Sequence, residues 1–211
     1  MISNQQIFSE MLAHVPVCTH RMPKNVLVIG DFEGEVAKQL TIHTDIETIT
    51  VLQSQVCELD IFGHEKCSVI TQESVGFLTD CEPKSFDVVI LNADASDPFY
   101  DSLFYGLINR ILKDDGVFAS VCANAITQSA SFEDLCVKLE KFTILMPSFF
   151  MQSQGIANIV IASKKYHPTA DLILQRSDLL EGLEYYNAEV HNASFVMPNF
   201  LKERFRTIVK I

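Results

Sequence analysis

Four carboxylates in this chain stand where a ligand would meet them. Val26-Leu27-Val28-Ile29-Gly30 is an apolar run that ends on a glycine and leads into Asp31-Phe32-Glu33-Gly34. It reads as a buried strand turning into a helix, and in α/β proteins that turn is where a nucleotide-like ligand approaches the backbone. Asp31 and Glu33 sit where a phosphate binder would present bare N–H groups. A pyrophosphate would be repelled there, and a nucleoside with a cationic tail attracted. A second pair, Asp94 and Asp97, follows the run Phe86–Leu91, which is apolar apart from Asp87. Such a run suits a central parallel strand, and residues just beyond it lie at the carboxyl edge of the sheet, where α/β sites form. Each acid also has a plainer reading. Glu33 suits the first turn of a helix, and Asp97 suits the cap of a helix begun by Pro98.

The elements that must position these groups follow from periodicity. Ile7, Phe8, Met11 and Leu12 have helical spacing over residues 5–13, and Pro23 punctuates before a strand over 25–30. A helix carrying Val36, Ala37 and Leu40 on one face comes next, then strands over 46–52, 68–70 and 86–91. Phe99, Leu103, Leu107 and Ile111 predict one long helix, ended by Asp115-Gly116 before a strand over 117–121. A helix over 132–139 precedes two strands, 142–145 and 156–162, read as an antiparallel pair. Alternation of strand and helix from 25 to 145 predicts an open parallel sheet wound on both faces. The division is a helical lead-in over 1–24, a Rossmann-like nucleoside-binding domain over 25–163 and a helical tail over 164–211 packed on it.

Composition narrows the ligand class. The chain has 211 residues, 48% of them hydrophobic, and a formal net charge of −11. That is enough apolar material for one core, and the charge argues against nucleic acid and anionic membranes and suits cationic partners. The six cysteines form no C-x-x-C pair and read as reduced thiols of a cytoplasmic protein. No His/Cys cluster has metal-ligand spacing, so no metal is expected. No apolar run approaches the ~20 residues of a membrane span, and no leader opens the chain.

Four segments, in order, resemble the spermidine synthase family, the polyamine aminopropyltransferases. Glu10-Met11-Leu12-Ala13-His14-Val15-Pro16 is similar to its E-M-L-x-H-x-P segment, and Pro23-Lys24-Asn25-Val26-Leu27-Val28-Ile29-Gly30 to its lead into the glycine-rich turn. Asp94-Ala95-Ser96-Asp97-Pro98 is similar to its D-S-S-D-P loop, and Tyr185-Tyr186-Asn187 through His191 to Pro198 to its tail. The resemblance implies a Rossmann-like sheet of about seven strands, akin to that of S-adenosylmethionine-dependent methyltransferases. It also implies a small preceding β domain, which is expected to be absent here. The implied reaction moves an aminopropyl group from decarboxylated S-adenosylmethionine, a co-substrate rather than a bound prosthetic group, to putrescine. Spermidine and methylthioadenosine result. Two other readings stay open: a non-catalytic relative that binds polyamine or nucleoside, and a methyltransferase of the same fold. A homodimer is compatible with either enzyme.

The resemblance also implies roles. Gly30, Glu33, Gln53 and Glu73 would bind the donor: Glu33 its terminal ammonium, Gln53 its ribose hydroxyls, Glu73 its adenine. Asp94 would take the nucleophile's proton, while Asp97 and Glu10 would hold the amine acceptor. The chain departs from the pattern at Asp31, Phe32 and Glu35, where the family has glycine. It departs again at Phe8 and Gln152, where the family has tyrosine, at Ser9, and at Gln53, where it has glutamate. Asn92-Ala93 adds two residues before the acidic loop; with the gap placed the other way, Asn92 takes the first acid's place. His14, Tyr185, Tyr186 and His191 read as packing groups.

Overall fold

The computed structural model describes residues 2–55, 63–97 and 99–210. A helix, α1 (Asn4–Thr19), is capped by Ser3, whose hydroxyl accepts the Gln6 N–H. Then come β1 (Asn25–Ile29), α2 (Glu35–Thr41), β2 (Thr48–Gln53), β3 (Cys67–Thr71), α3 (Ser74–Asp80) and β4 (Phe86–Leu91). The second half holds α4 (Ser102–Ile111), β5 (Leu112–Val121), α5 (Ser129–Lys138), β6 (Ile144–Gln152) and β7 (Gly155–Ser163). Three short helices, α6 (Leu174–Asp178), α7 (Ala188–Ser194) and α8 (Asn199–Arg204), close the chain.

The strands form one sheet in the order β3-β2-β1-β4-β5-β7-β6. β1 to β5 are parallel, and β7 runs antiparallel to both β5 and β6. Side chains alternate across the pleat, so one strand feeds two cores. Val26 and Val28 face the layer that includes Met11, Ala37 and Leu40, while Leu27 and Ile29 face the layer of Phe104, Ile108 and Phe132. All six residues of β4 are buried, as a central strand covered on both faces requires. After β1 the chain turns outward to β2 and β3; β4 returns to β1's other side. The order therefore reverses between β1 and β4, and a crevice opens beyond their carboxyl ends.

The doubly wound architecture and the terminal antiparallel pair are as the sequence predicts, with three corrections. The helix over 99–111 begins at Ser102, capped by Asp101. Its buried stripe is Phe104, Ile108 and Ile111 with Tyr105, while Phe99 and Leu103 are exposed. Phe99 lies before the helix begins, and Phe104 and Tyr105 turn inward to meet Tyr100 and Phe118. Asp115-Gly116 does not separate helix from strand. It lies within β5, where the register against β4 shifts between Phe86 and Val88. The closing strands extend far into the expected loop, so that only Ser153 and Gln154 join them. The thiols of Cys18, Cys67, Cys81, Cys122 and Cys136 are free, and Cys57 lies outside the described residues. Among the described residues no helix is long and apolar enough to cross a membrane.

Candidate active site

A cleft of about 260 Å³ lies where the topology predicts it. The turn after β1 contributes Gly30, Asp31, Phe32 and Glu33; the start of α2 adds Glu35; α1 adds Phe8 and Ser9; Asn92 closes it from the end of β4. The two largest hollows among the described residues, of about 540 and 450 Å³, are lined by Thr19 and Tyr166 and by Asp45 and Arg176. Both belong to segments at the amino edge of the parallel strands, away from the crevice that α/β sheets use.

Gly30 has φ +82°, and a Cβ there would meet the Asn92 carbonyl oxygen at 3.4 Å. Glycine thus serves both the backbone conformation and the close approach of the two strand ends. Asp31 does not face the ligand as an open charge. It is buried, and its carboxylate accepts the N–H groups of Val36 (3.3 Å) and Ala37 (2.8 Å) and the Asn92 side-chain amide (3.3 Å). Burial raises its pKa, and these donors oppose the rise. The expectation of two attracting acids at this turn is therefore corrected to one, Glu33, joined by Glu35. Asp31 turns inward because α2 leaves N–H groups unpaired at its start. That turn projects Phe32 and Glu33 outward, where both are exposed.

Gln53 ends β2 with its side chain buried. Its Nε2 donates to the Asp31 carbonyl at 2.9 Å, and its Oε1 has no partner among the described residues. Gln53 does not itself line the cleft; it lies behind the cleft turn and holds the Asp31 backbone. Glu73 is exposed and caps α3, accepting from Val75 and Gly76 at 3.0 and 2.8 Å. Those two donors hold its pKa below the ordinary carboxylate value.

The acidic loop after β4 is pinned at its middle. Ala95 is buried, its N–H donates to Val121, and its carbonyl accepts the Tyr105 hydroxyl at 2.6 Å. Asp94 and Asp97 flank that anchor and are exposed; one oxygen of each accepts a backbone N–H, from Ser96 and Phe99 respectively. Asp97 therefore shapes a turn and does not cap α4; Pro98 lies outside the described residues. Asn92, directly after β4, lines the cleft, and Asp94 stands two residues farther along. The signal for Asn92 in the sequence is its position immediately after the buried run, which the alternative gap placement uses.

Glu10 is corrected outright. Its side chain is fully buried, and its two oxygens accept the N–H groups of Glu184 (3.1 Å), Tyr185 (2.8 Å) and Tyr186 (2.9 Å). A carboxylate so engaged anchors the tail to α1 and is not available to an amine substrate. His14 packs α1 against α2: Nδ1 meets His43 Nε2 at 2.9 Å and Nε2 meets Gln39 Oε1 at 3.2 Å. Burial lowers its pKa to about 4 and that of His43 to about 2. Tyr186 and His191 hydrogen-bond each other at 2.8 Å, and the Tyr185 hydroxyl accepts from Met151. Gln152, where the family's tyrosine is lost, donates to the Asn4 carbonyl and ties the hairpin tip to the start of α1.

Comparison with known proteins matches residues 5–172 to the spermine/spermidine synthase domain. The polyamine aminopropyltransferase of Helicobacter acinonychis is 30% identical over 100% of this chain and 83% of its own length. That of Methanocaldococcus jannaschii is 28% identical over 93% of this chain and 75% of its own. Spermidine synthase from Thermotoga maritima superposes with a TM-score of 0.83 at 25% identity, covering 96% of this chain and 75% of that one. A spermidine synthase in complex with the transition state analogue AdoDATO gives 0.85 at 25% identity over 96% and 76%. A SAM-dependent methyltransferase from Archaeoglobus fulgidus shares the fold, with a TM-score of 0.59 at 16% identity.

Proposed function

Because the chain belongs to the spermine/spermidine synthase family, we propose that the cleft beyond β1 and β4 is the seat of its aminopropyl transfer. The protein is a polyamine aminopropyltransferase whose co-substrate is decarboxylated S-adenosylmethionine and whose acceptor is putrescine. The amine nitrogen attacks the aminopropyl carbon bonded to sulfur. The C–S bond breaks, sulfur keeps the electron pair, and neutral methylthioadenosine leaves as spermidine forms. The sulfonium is already a good leaving group. The protein's tasks are to hold two cations together and to take one proton from an amine whose solution pKa is near that of lysine, about 10.

One observation carries the assignment to this cleft: Glu33 and Glu35 stand beside Phe8 and Phe32 at the topological switch point. Acid with apolar wall is the surface a cationic alkyl chain needs. In this reading Glu33 holds the donor's ammonium. Glu73 reaches the adenine with an oxygen it shares with the α3 cap. Asp94, with one oxygen uncommitted to backbone, takes the proton, and Asp97 holds the far end of the diamine. The net charge supports small cationic ligands over nucleic acid or membrane, and the free thiols support a cytoplasmic setting. A homodimer is the assembly we expect, which sedimentation would test.

The direct test is release of methylthioadenosine from decarboxylated donor plus putrescine. Product with this pair, and none with ordinary S-adenosylmethionine, is the expected result. No release with any diamine would reject catalysis, and methyl transfer would reject the aminopropyl reading.

A further inference from the structure

We infer that Phe32 and Phe8 are specificity-determining residues that recognise the donor through its positive charge; the inference rests on the donor class proposed above. Phe8 and Phe32 line the same cleft of about 260 Å³, so a cationic ligand seated there meets both rings, and an aromatic face attracts a cation within about 6 Å. Phe32 is held in this position by its neighbours. Asp31 is drawn into α2 by Val36 and Ala37, Gln53 holds the Asp31 carbonyl, and the Phe32 N–H donates to Gly30 at 3.0 Å. The turn therefore exposes the Phe32 ring, 47% accessible, in place of hiding it as a ring of that size otherwise would be. Phe8 reaches the same cleft from α1, fixed edge-on against Phe150 with ring centroids 5.1 Å apart. Glu33 and Glu35 share the space. Two rings with two carboxylates form a site that favours the donor's sulfonium over a neutral thioether sulfur in the same place.

The experiment compares binding of decarboxylated S-adenosylmethionine with that of S-adenosyl-3-thiopropylamine, the neutral thioether that keeps the aminopropyl arm and lacks only the methyl group on sulfur, by calorimetry without acceptor amine. Wild type is set against Phe32→Leu and Phe8→Leu, which keep apolar bulk and remove the ring. Each variant should weaken the sulfonium about two- to thirtyfold, the span of a cation–π contact, and leave the thioether within about twofold. Phe32→Tyr should retain the preference, and because Phe32 is half exposed its variants should melt like wild type. Equal weakening of both ligands would reduce the rings to apolar walls and overturn the inference, as would no change in either or failure of wild type to prefer the sulfonium. Binding is read without turnover, so a wild type that prefers the sulfonium and releases no product would sink the catalytic reading and leave this one standing.

Discussion

The Asn92 side-chain amide donates to the Asp31 carboxylate at 3.3 Å, joining the end of β4 to the turn after β1. The contact spans the switch point of the sheet and sets the inner wall of the cleft. Asn92→Asp would place two carboxylates at that distance in a buried setting. One of them would have to stay protonated or move apart. A stability loss of about 1–3 kcal/mol at pH 7, shrinking as pH falls toward 5, is expected from urea unfolding of the variant against wild type. A flat difference across that range would mean that the two side chains separate on substitution.

Asp94 should matter for turnover more than for donor binding. Asp94→Asn keeps shape and removes basicity, and a rate loss on the order of 10²–10⁴ is expected at neutral pH, with partial rescue in alkali as more diamine becomes neutral. Single-turnover release of methylthioadenosine measures it. Wild-type rates in the variant would move the proton to Asp97 or solvent.

Ordinary S-adenosylmethionine brings an additional carboxylate toward Glu33 and Glu35. Its affinity should lie about five- to hundredfold below that of the decarboxylated donor, equivalent to about 1–3 kcal/mol, with the gap narrowing at high salt. Glu33→Gln should close much of it. Competition binding at two ionic strengths decides, and a gap indifferent to Glu33 would assign the selectivity elsewhere.

Glu10→Gln should cost stability and spare substrate affinity. The carboxylate serves three backbone donors from residues 184–186, and an amide presents one acceptor and a clashing NH₂ in its place. A loss of about 2–4 kcal/mol is expected. A raised KM for putrescine with unchanged melting would restore Glu10 to the substrate site.

Mild acid should unfold the protein through its buried imidazoles. Burial lowers His14 and His191 to about 4 and His43 to about 2. The unfolded chain takes up protons near the ordinary value of about 6.5 while the folded rings stay neutral. Stability is therefore full above that pH and falls below it, by about 1.4 kcal/mol per pH unit for each ring. Urea midpoints from pH 7.5 to 5 measure the slope, which His191→Gln should reduce.

The sequence by itself determined the order of elements and the class of sheet. Val26–Gly30 and Val88–Leu91 are local signals: a strand buried on both faces is apolar wherever no donor meets its side chain, and Asp87, the one acid in β4, is met by the N–H groups of Lys24 and Asn25. The acidic turn and the acidic loop were legible for the same reason, since both sit directly after such runs. What each acid does was decided only by the tertiary structure. A carboxylate leaves water at a large cost unless donors meet it, and those donors come from elsewhere in the chain. Residues 184–186 arrive from the tail to fill Glu10; Val36, Ala37 and Asn92 converge on Asp31; among the described residues no such convergence meets Glu33 or Asp94, and both are exposed. Spacing along the chain carries no record of those encounters. The helix over Ser102–Ile111 shows the same limit in its core stripe, since Leu103 and Phe104 are equally apolar in sequence and only packing against Tyr100, Tyr105 and their neighbours chose which one to bury.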